Sequence, residues 1–218
     1  SWGGGGYSST LQRAISDGAK ADILFVTSAG NNSSDNDAVN VWPANYSTVS
    51  QAGYEAVISV ASITSGGARS SFSNYGATTV DLGAPGSAIE STMAGGGYAR
   101  ASGTSMAAPH VAGALALAAA ANPDATAQEL RDALLASATP TASMNGITAT
   151  GGRLDANALI SAVLAGAPLQ TVTIDAAQDD AGAVVGALAS GAVTDDATPV
   201  LSGALSAGLE VGQEVAVY

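Results

Sequence analysis

From Ala101 to Leu117 the chain reads ASGTSMAAPHVAGALAL, a glycine turn, a serine and then a run of small apolar residues. Gly103 permits a close backbone approach or dihedral angles that a larger residue resists. Ser105 then opens the apolar series Met106, Ala107, Ala108, Val111, Ala112 and Leu115, whose spacing predicts a helix. A serine at a helix N-terminus sits among unpaired N–H groups, where the dipole favours negative charge. An oxyanion is stabilised in such a place. Pro109 falls near the first turn, where a missing N–H costs least. Taken alone, the same serine reads equally well as the cap of a buried helix.

The eleven residues Gly103 to Gly113, GTSMAAPHVAG, resemble the nucleophile segment of the subtilisin-like serine proteases, the subtilases. The segment is not the G-x-S-x-G elbow of α/β-hydrolases, because Ala107 stands where the last glycine would be. The resemblance implies an α/β fold of three layers around a mostly parallel sheet, present here in part. It also implies a serine endopeptidase acting on proteins or peptides, with no cofactor required. Ser105 becomes the acyl-forming nucleophile, and Gly103 and Thr104 join the substrate-binding surface.

Composition limits the alternatives. The 218 residues are 47% hydrophobic and 11% charged, enough to bury a sizeable core. A net charge of −12 makes nucleic acid an unfavourable partner. With no cysteine there are no disulfides and no thiolate metal sites. The longest uncharged apolar run, Val111 to Ala121, is too short to span a bilayer. Members of the family are secreted or held at the cell surface, which is the localisation the resemblance implies.

In chain order, SWGGGG at the start reads by composition as a flexible linker. Ser1, Trp2 and Gly3 also match the subtilase Ser-x-Gly-Gly segment that pairs with substrate backbone. Tyr7 to Gly18 carries Leu11, Ala14 and Ile15 at helical spacing, with Ser8 or Ser9 as N-cap and Gly18 as the stop. Asp22 to Thr27, DILFVT, is a buried strand that runs into SAGNN. Ligands in open α/β sheets gather at such carboxyl strand ends. An asparagine there is, in isolation, a turn residue. The triplet Ala29-Gly30-Asn31 resembles the subtilase oxyanion-hole segment, and the resemblance makes Asn31 a side-chain donor to the developing alkoxide beside the Ser105 N–H. Ala29 and Gly30 then line the substrate site. Asn31, Asn32 and Asn45 each begin an N-x-Ser sequon, read as coincidence because a glycan on Asn31 would block the site.

Asp35 and Asp37 lie two residues apart in a polar loop, without the glycine and distal glutamate of a full calcium loop. A structural calcium is common among subtilases, and no metal site can be placed here. VWPANY resembles the family's Tyr-Pro-Ala segment, Ala56 to Ala61 is a second buried strand, and Ile89 to Ser102 reads as a hairpin. SSFSNYG (Ser70 to Gly76) and VDLGAPG (Val80 to Gly86) match the family in order and spacing. Thr126 with Glu129 is a capping box, and Gly152 to Val163 reads as a closing helix.

The resemblance runs from Ser1 to about Gly166, so the chain divides at 1–167 and 168–218. From Thr171 the last 48 residues hold seven Asp and Glu and no Lys or Arg. TVTID, TPVLSGAL and EVAVY are strand-like runs between turn residues. They resemble the start of a bacterial immunoglobulin-like repeat, with an acidic linker as the competing reading.

One histidine, His110, occurs in the chain. Five residues beyond Ser105 on one helix, it lies ~140° around from the serine and is read as a packed structural residue. Subtilases order their triad Asp, His, Ser. The resemblance therefore places the catalytic Asp and His in a missing N-terminal half and leaves this segment inactive alone. The alternative is a cell-surface adhesion protein whose subtilase-like part is structural or processes neighbouring chains.

Overall fold

The computed structural model describes residues 5–166, 172–179, 186–188 and 200–205. By its internal contacts the chain divides into two compact units, Ser1–Ala167 and Pro168–Tyr218.

The first unit begins with α1, Ser9–Lys20, whose N-cap is Ser8: its side chain accepts from the Leu11 N–H. Gly18 does not end this helix. The chain runs on to Lys20 and turns at Asp22, which holds a positive φ of 61°. Asp tolerates that conformation, and its carboxylate accepts from the Ala127 N–H at 2.8 Å, so the turn is held by a residue far along the chain. β1 is Phe25–Ser28, shorter at its start than the sequence predicts, since Ile23 is still bonded back to Gly18 and exposed.

A short helix α2, Val49–Ala52, leads to β2, Val57–Ile63, in which every residue is buried. β3, Leu82–Pro85, follows, then the hairpin β4, Ile89–Thr92, and β5, Tyr98–Ala101. α3 spans Thr104–Ala121 and α4 spans Ala127–Ala136, the latter opened by the Thr126–Glu129 capping box. β6, Thr139–Pro140, and β7, Gly152–Arg153, precede α5, Ala156–Gly166. Gly152 is thus in a strand rather than a helix. A Cβ there would stand 2.9 Å from the Thr139 carbonyl oxygen, and only glycine lets the two strands approach. Asp155 starts α5 instead, accepting from the Ala158 N–H at 3.0 Å.

The sheet order is β1-β2-β3-β7-β6, parallel throughout except between β6 and β7. Alternate residues of β2 face opposite layers. Val57 packs with Ile15 and Leu11 of α1 and with Tyr46, while Ile58 and Val60 pack with Ala107, Val111 and Leu115 of α3, Leu134 of α4 and Leu159 of α5. The fold is a three-layer α/β arrangement with helices on both faces of a mostly parallel sheet. α3 is long and apolar enough, by length and composition, to cross a membrane, contrary to the shorter run read from sequence. Its buried face of Ala107, Val111, Ala114, Leu115 and Ala118 makes it the core helix of this unit.

In the second unit, β8, Val172–Asp179, lies between β10, Val200–Leu205, and β9, Gly186–Leu188, in an antiparallel sheet. Two of the three predicted runs fall here. The third, EVAVY, lies outside the described residues.

Candidate active site

The carboxyl end of β1 and the amino end of α3 meet. Ala29 extends the strand, its N–H bonded to the Val60 carbonyl at 3.0 Å, and is fully buried. Gly30 follows with φ of 113°, and its N–H donates to the Thr104 hydroxyl at 3.2 Å. A Cβ on Gly30 would stand 2.4 Å from Asn74 Nδ2, so this position admits glycine only. Asn31 is then placed against the first turn of α3. Its Oδ1 accepts from the Thr104 N–H at 2.8 Å and from the Thr104 hydroxyl at 3.0 Å. Both donors hold the oxygen end of the amide, and Nδ2 lies on the side of Gly103, 3.6 Å from where a Cβ on that glycine would be.

Gly103 itself is extended, with φ and ψ of 160°, and an added Cβ would make only ordinary contacts with Met106 and Asn31. The close approach expected at Gly103 is found at Gly86 instead. There a Cβ would meet Ser62 Oγ at 2.4 Å and the Gly103 carbonyl oxygen at 2.7 Å. The Gly86 carbonyl accepts from the Gly103 N–H at 2.8 Å, which fixes the turn before the helix.

Ser105 is partly buried in the first turn of α3 and lines a groove of about 480 Å³. The hairpin supplies one wall through Ile89, Thr92 and Ala101, and α3 supplies the other through Met106, Pro109 and His110. Pro109 lies inside α3, past the turn where its missing N–H would cost nothing. His110 is a correction to the sequence reading. It is exposed rather than packed and lines the same groove as Ser105. Its Nδ1 is 2.8 Å from the Met106 carbonyl, one turn back.

A second layer holds the Asn31 turn. Asn36 and Asn74 are almost fully buried and bonded to each other, Asn74 Nδ2 donating to Asn36 Oδ1 at 3.0 Å. Neither was singled out by sequence reasoning, although Asn74 lies within SSFSNYG. Asn45 is also engaged internally, accepting from the Val41 N–H and donating to the Asn36 carbonyl.

Both carboxylates of the pair considered for calcium are engaged by neighbouring donors. Asp37 Oδ1 already accepts from the hydroxyls and N–H groups of Thr78 and Thr79. Burial pushes its pKa up, but those four donors outweigh it and hold the carboxyl below its ordinary range. Asp35 accepts from the Asp37 N–H. Among the described residues no group of three or more His, Asp or Glu could hold a metal. Ser1, Trp2 and Gly3 lie outside the described residues.

Comparison with known proteins agrees with this architecture. The subtilase family model (peptidase S8) matches residues 1–178, past the limit near Gly166 read from sequence and into β8. An extracellular protease of Xanthomonas campestris is 40% identical over 177 residues, covering 75% of this chain and 28% of that protein. Alkaline serine exoprotease A of Vibrio alginolyticus is 46% identical over 114 residues, covering 52% of this chain and 19% of the other. Among solved structures, a Pseudoalteromonas arctica protease superposes with a TM-score of 0.62 at 33% identity, over 74% of this chain and 49% of its own. A cold-adapted subtilisin-like serine proteinase gives 0.56 at 40% identity, over 71% and 50%. The chain thus spans about a quarter of the Xanthomonas relative and about half of the solved structures. With Asn31 bonded to Thr104, the residue before Ser105, where a parallel strand meets the core helix, and with the family model matching most of its length, the chain belongs to the subtilase family of serine proteases.

Proposed function

We propose that these residues form part of a secreted serine endopeptidase that cleaves protein or peptide substrates through an acyl-enzyme on Ser105. The observation that carries the reading is the double hydrogen bond from Thr104 to Asn31 Oδ1. It binds the carbonyl end of the amide and leaves Nδ2 as the donor end, next to the residue that opens the nucleophile helix. When the Ser105 hydroxyl attacks the scissile carbonyl, its oxygen becomes an alkoxide. Asn31 Nδ2 and the Ser105 N–H donate to that oxygen, and the α3 N-terminus adds its dipole. Collapse of the tetrahedral species expels the amine, and water then releases the acyl group. Ala29, Gly30, Gly103 and Thr104 shape the neighbouring substrate surface, with Ser1, Trp2 and Gly3 as a further wall.

The Ser105 proton needs a base, and a carboxylate must orient that base. His110 Nδ1 is engaged by the Met106 carbonyl. A histidine and an aspartate outside these 218 residues supply the two roles, no cofactor enters the reaction, and this segment alone does not turn over. Relatives named as extracellular proteases support secretion.

The test compares Ser1–Tyr218 with the complete enzyme, using a fluorophosphonate probe and casein. Labelling at Ser105 and casein cleavage are expected of the complete enzyme and abolished by Ser105→Ala. Equal activity in the isolated segment would mean that a base lies within it.

The antiparallel sheet β8 to β10 favours a second element, the start of an immunoglobulin-like β repeat that holds the enzyme at a surface. Enzyme found wholly in the medium after removal of residues beyond 167, and at the cell surface with them, supports that role. Equal distribution refutes it and leaves an acidic linker.

A further inference from the structure

The turn that presents Asn31 is gripped on both sides by two buried amides. Asn36 is fully buried and Asn74 is 1% exposed. Asn36 Nδ2 donates to the Ala29 carbonyl at 2.9 Å, two residues before Asn31. Asn74 Oδ1 accepts from the Asn32 N–H at 2.8 Å and from the Ser34 N–H at 3.1 Å, just after it. The Asn74 N–H donates to the Gly30 carbonyl at 2.9 Å. The two side chains are then joined, Asn74 Nδ2 to Asn36 Oδ1. The main-chain groups that the two side chains touch, those of Ala29, Asn32 and Ser34, lie on either side of Asn31, and the side chain of Asn31 is not among their partners.

We propose that Asn36 and Asn74 are positioning residues that set the direction of the Asn31 amide by holding the main chain on either side of it. This rests on Asn31 acting as an oxyanion donor. Four features support a role in aim rather than in stability alone. The pair bridges Ala29 to Asn32 and Ser34, so it fixes the turn against rotation about Asn31. Its fourth contact, Asn74 N–H to the Gly30 carbonyl, holds the residue whose φ of 113° orients the turn. A Cβ on residue 30 would stand 2.4 Å from Asn74 Nδ2, so the Asn74 side chain fits beside the turn only because that residue is glycine. Lastly, Thr104 holds the side chain of Asn31 and the Gly30 N–H before it, whereas the main chain after it, at Asn32 and Ser34, is held by the Asn74 side chain. A donor misplaced by a fraction of an ångström loses much of its effect on the transition state while leaving ground-state binding alone.

The experiment is a double-mutant cycle in the complete enzyme, with rates referred to active sites titrated by a fluorophosphonate. Asn74→Ser removes the link to Asn36 and the grip on Asn32 and Ser34. It is expected to lower kcat about tenfold or more with KM within about twofold. In an Asn31→Ala background the same change should cost less than about threefold, because the donor it aims is gone. Equal losses in both backgrounds overturn the proposal, as does a loss confined to KM or one that vanishes on correcting for active sites. If Asn31→Ala itself leaves kcat unchanged, the reading of Asn31 as the donor fails, and the positioning role falls with it. Should Asn74→Ser not accumulate as folded protein, Asn36→Ser, which frees the Ala29 side and the link to Asn74 but leaves the grip on Asn32 and Ser34, carries the same comparison with the same outcomes.

Discussion

The carbonyl oxygen of Asn31 receives two hydrogen bonds from a single residue, Thr104, one from its N–H at 2.8 Å and one from its hydroxyl at 3.0 Å. An amide with its oxygen so held cannot exchange its two ends without losing both bonds. Asn31→Ala therefore removes one preorganised donor and, with it, the acceptor of the Thr104 N–H and hydroxyl. We expect kcat to fall by about 10²–10³, the range for loss of one oxyanion-hole donor in a subtilisin, with KM nearly constant. Steady-state kinetics on the complete enzyme check this, and a kcat within twofold of the parent would take Asn31 out of the site.

Thr104 offers a finer test of the same contact. Its hydroxyl both donates to Asn31 and accepts from the Gly30 N–H at 3.2 Å. Thr104→Val keeps the shape and the backbone donor but loses both of those bonds, each worth about 1 kcal/mol. A fall in kcat of about tenfold is expected. Thr104→Ser restores the hydroxyl and should return most of the rate. If serine is as poor as valine, the methyl group rather than the hydroxyl is what matters.

What could be read from the chain was what is encoded locally. The run from Ser105, the hairpin before it and the Thr126–Glu129 box each occupy a short window and were placed as found. The errors came from partners distant in sequence. α1 passes Gly18 because Asp22 takes the turn and caps α4 with its carboxylate. Gly152 serves a strand because Thr139 packs against it. His110 is exposed because its surroundings depend on what covers α3, which helical spacing does not report. Asn31 was visible as a residue type after a strand, but the Thr104 bonds and the Asn36–Asn74 pair that hold it have no signature in any short window.

Gly86 is where the approach to the nucleophile is tightest. An added Cβ would stand 2.4 Å from Ser62 Oγ, itself bonded to Ser70 Oγ, and 2.7 Å from the Gly103 carbonyl. Gly86→Ala should cost about 1–3 kcal/mol through overpacking and lower kcat as Gly103 and Ser105 are pushed aside. Gly66 is the control, since a Cβ there would only touch Thr64 Oγ1 at 3.8 Å. Gly66→Ala should change stability by no more than about 0.5 kcal/mol. Thermal unfolding separates the two, and equal Tm values would show that the Gly86 site relaxes freely.

The pH dependence of stability should turn on Asp81. Burial pushes its pKa up to about 6 from 3.8, against the pull of the Arg131 guanidinium at 3.0 Å and of the Ser59 N–H at 2.8 Å, with Glu55 adding a smaller push upward. The folded protein thus holds this proton over a range in which the unfolded chain has lost it. Stability from this group is present in full below about pH 4 and declines as pH rises through about 6. Asp37, Glu129 and Asp155, whose pKa values are lowered, act oppositely: their stabilisation is lost as pH falls below the ordinary carboxylate range. Above about pH 4.5 Asp37 and Asp155 contribute a nearly constant amount and Glu129, whose ordinary value is 4.5, only gains at the acid end, so the decline there belongs to Asp81. A decline of about 2 kcal/mol is expected between pH 4.5 and 7. Urea unfolding at fixed ionic strength measures it, in a Ser105→Ala background so that unfolded chains are not digested. Asp81→Asn carries at every pH a neutral side chain, as Asp81 does in the fold below about pH 6. It should therefore flatten the slope between pH 4.5 and 7. A slope that persists unchanged in Asp81→Asn would assign the titration to another group.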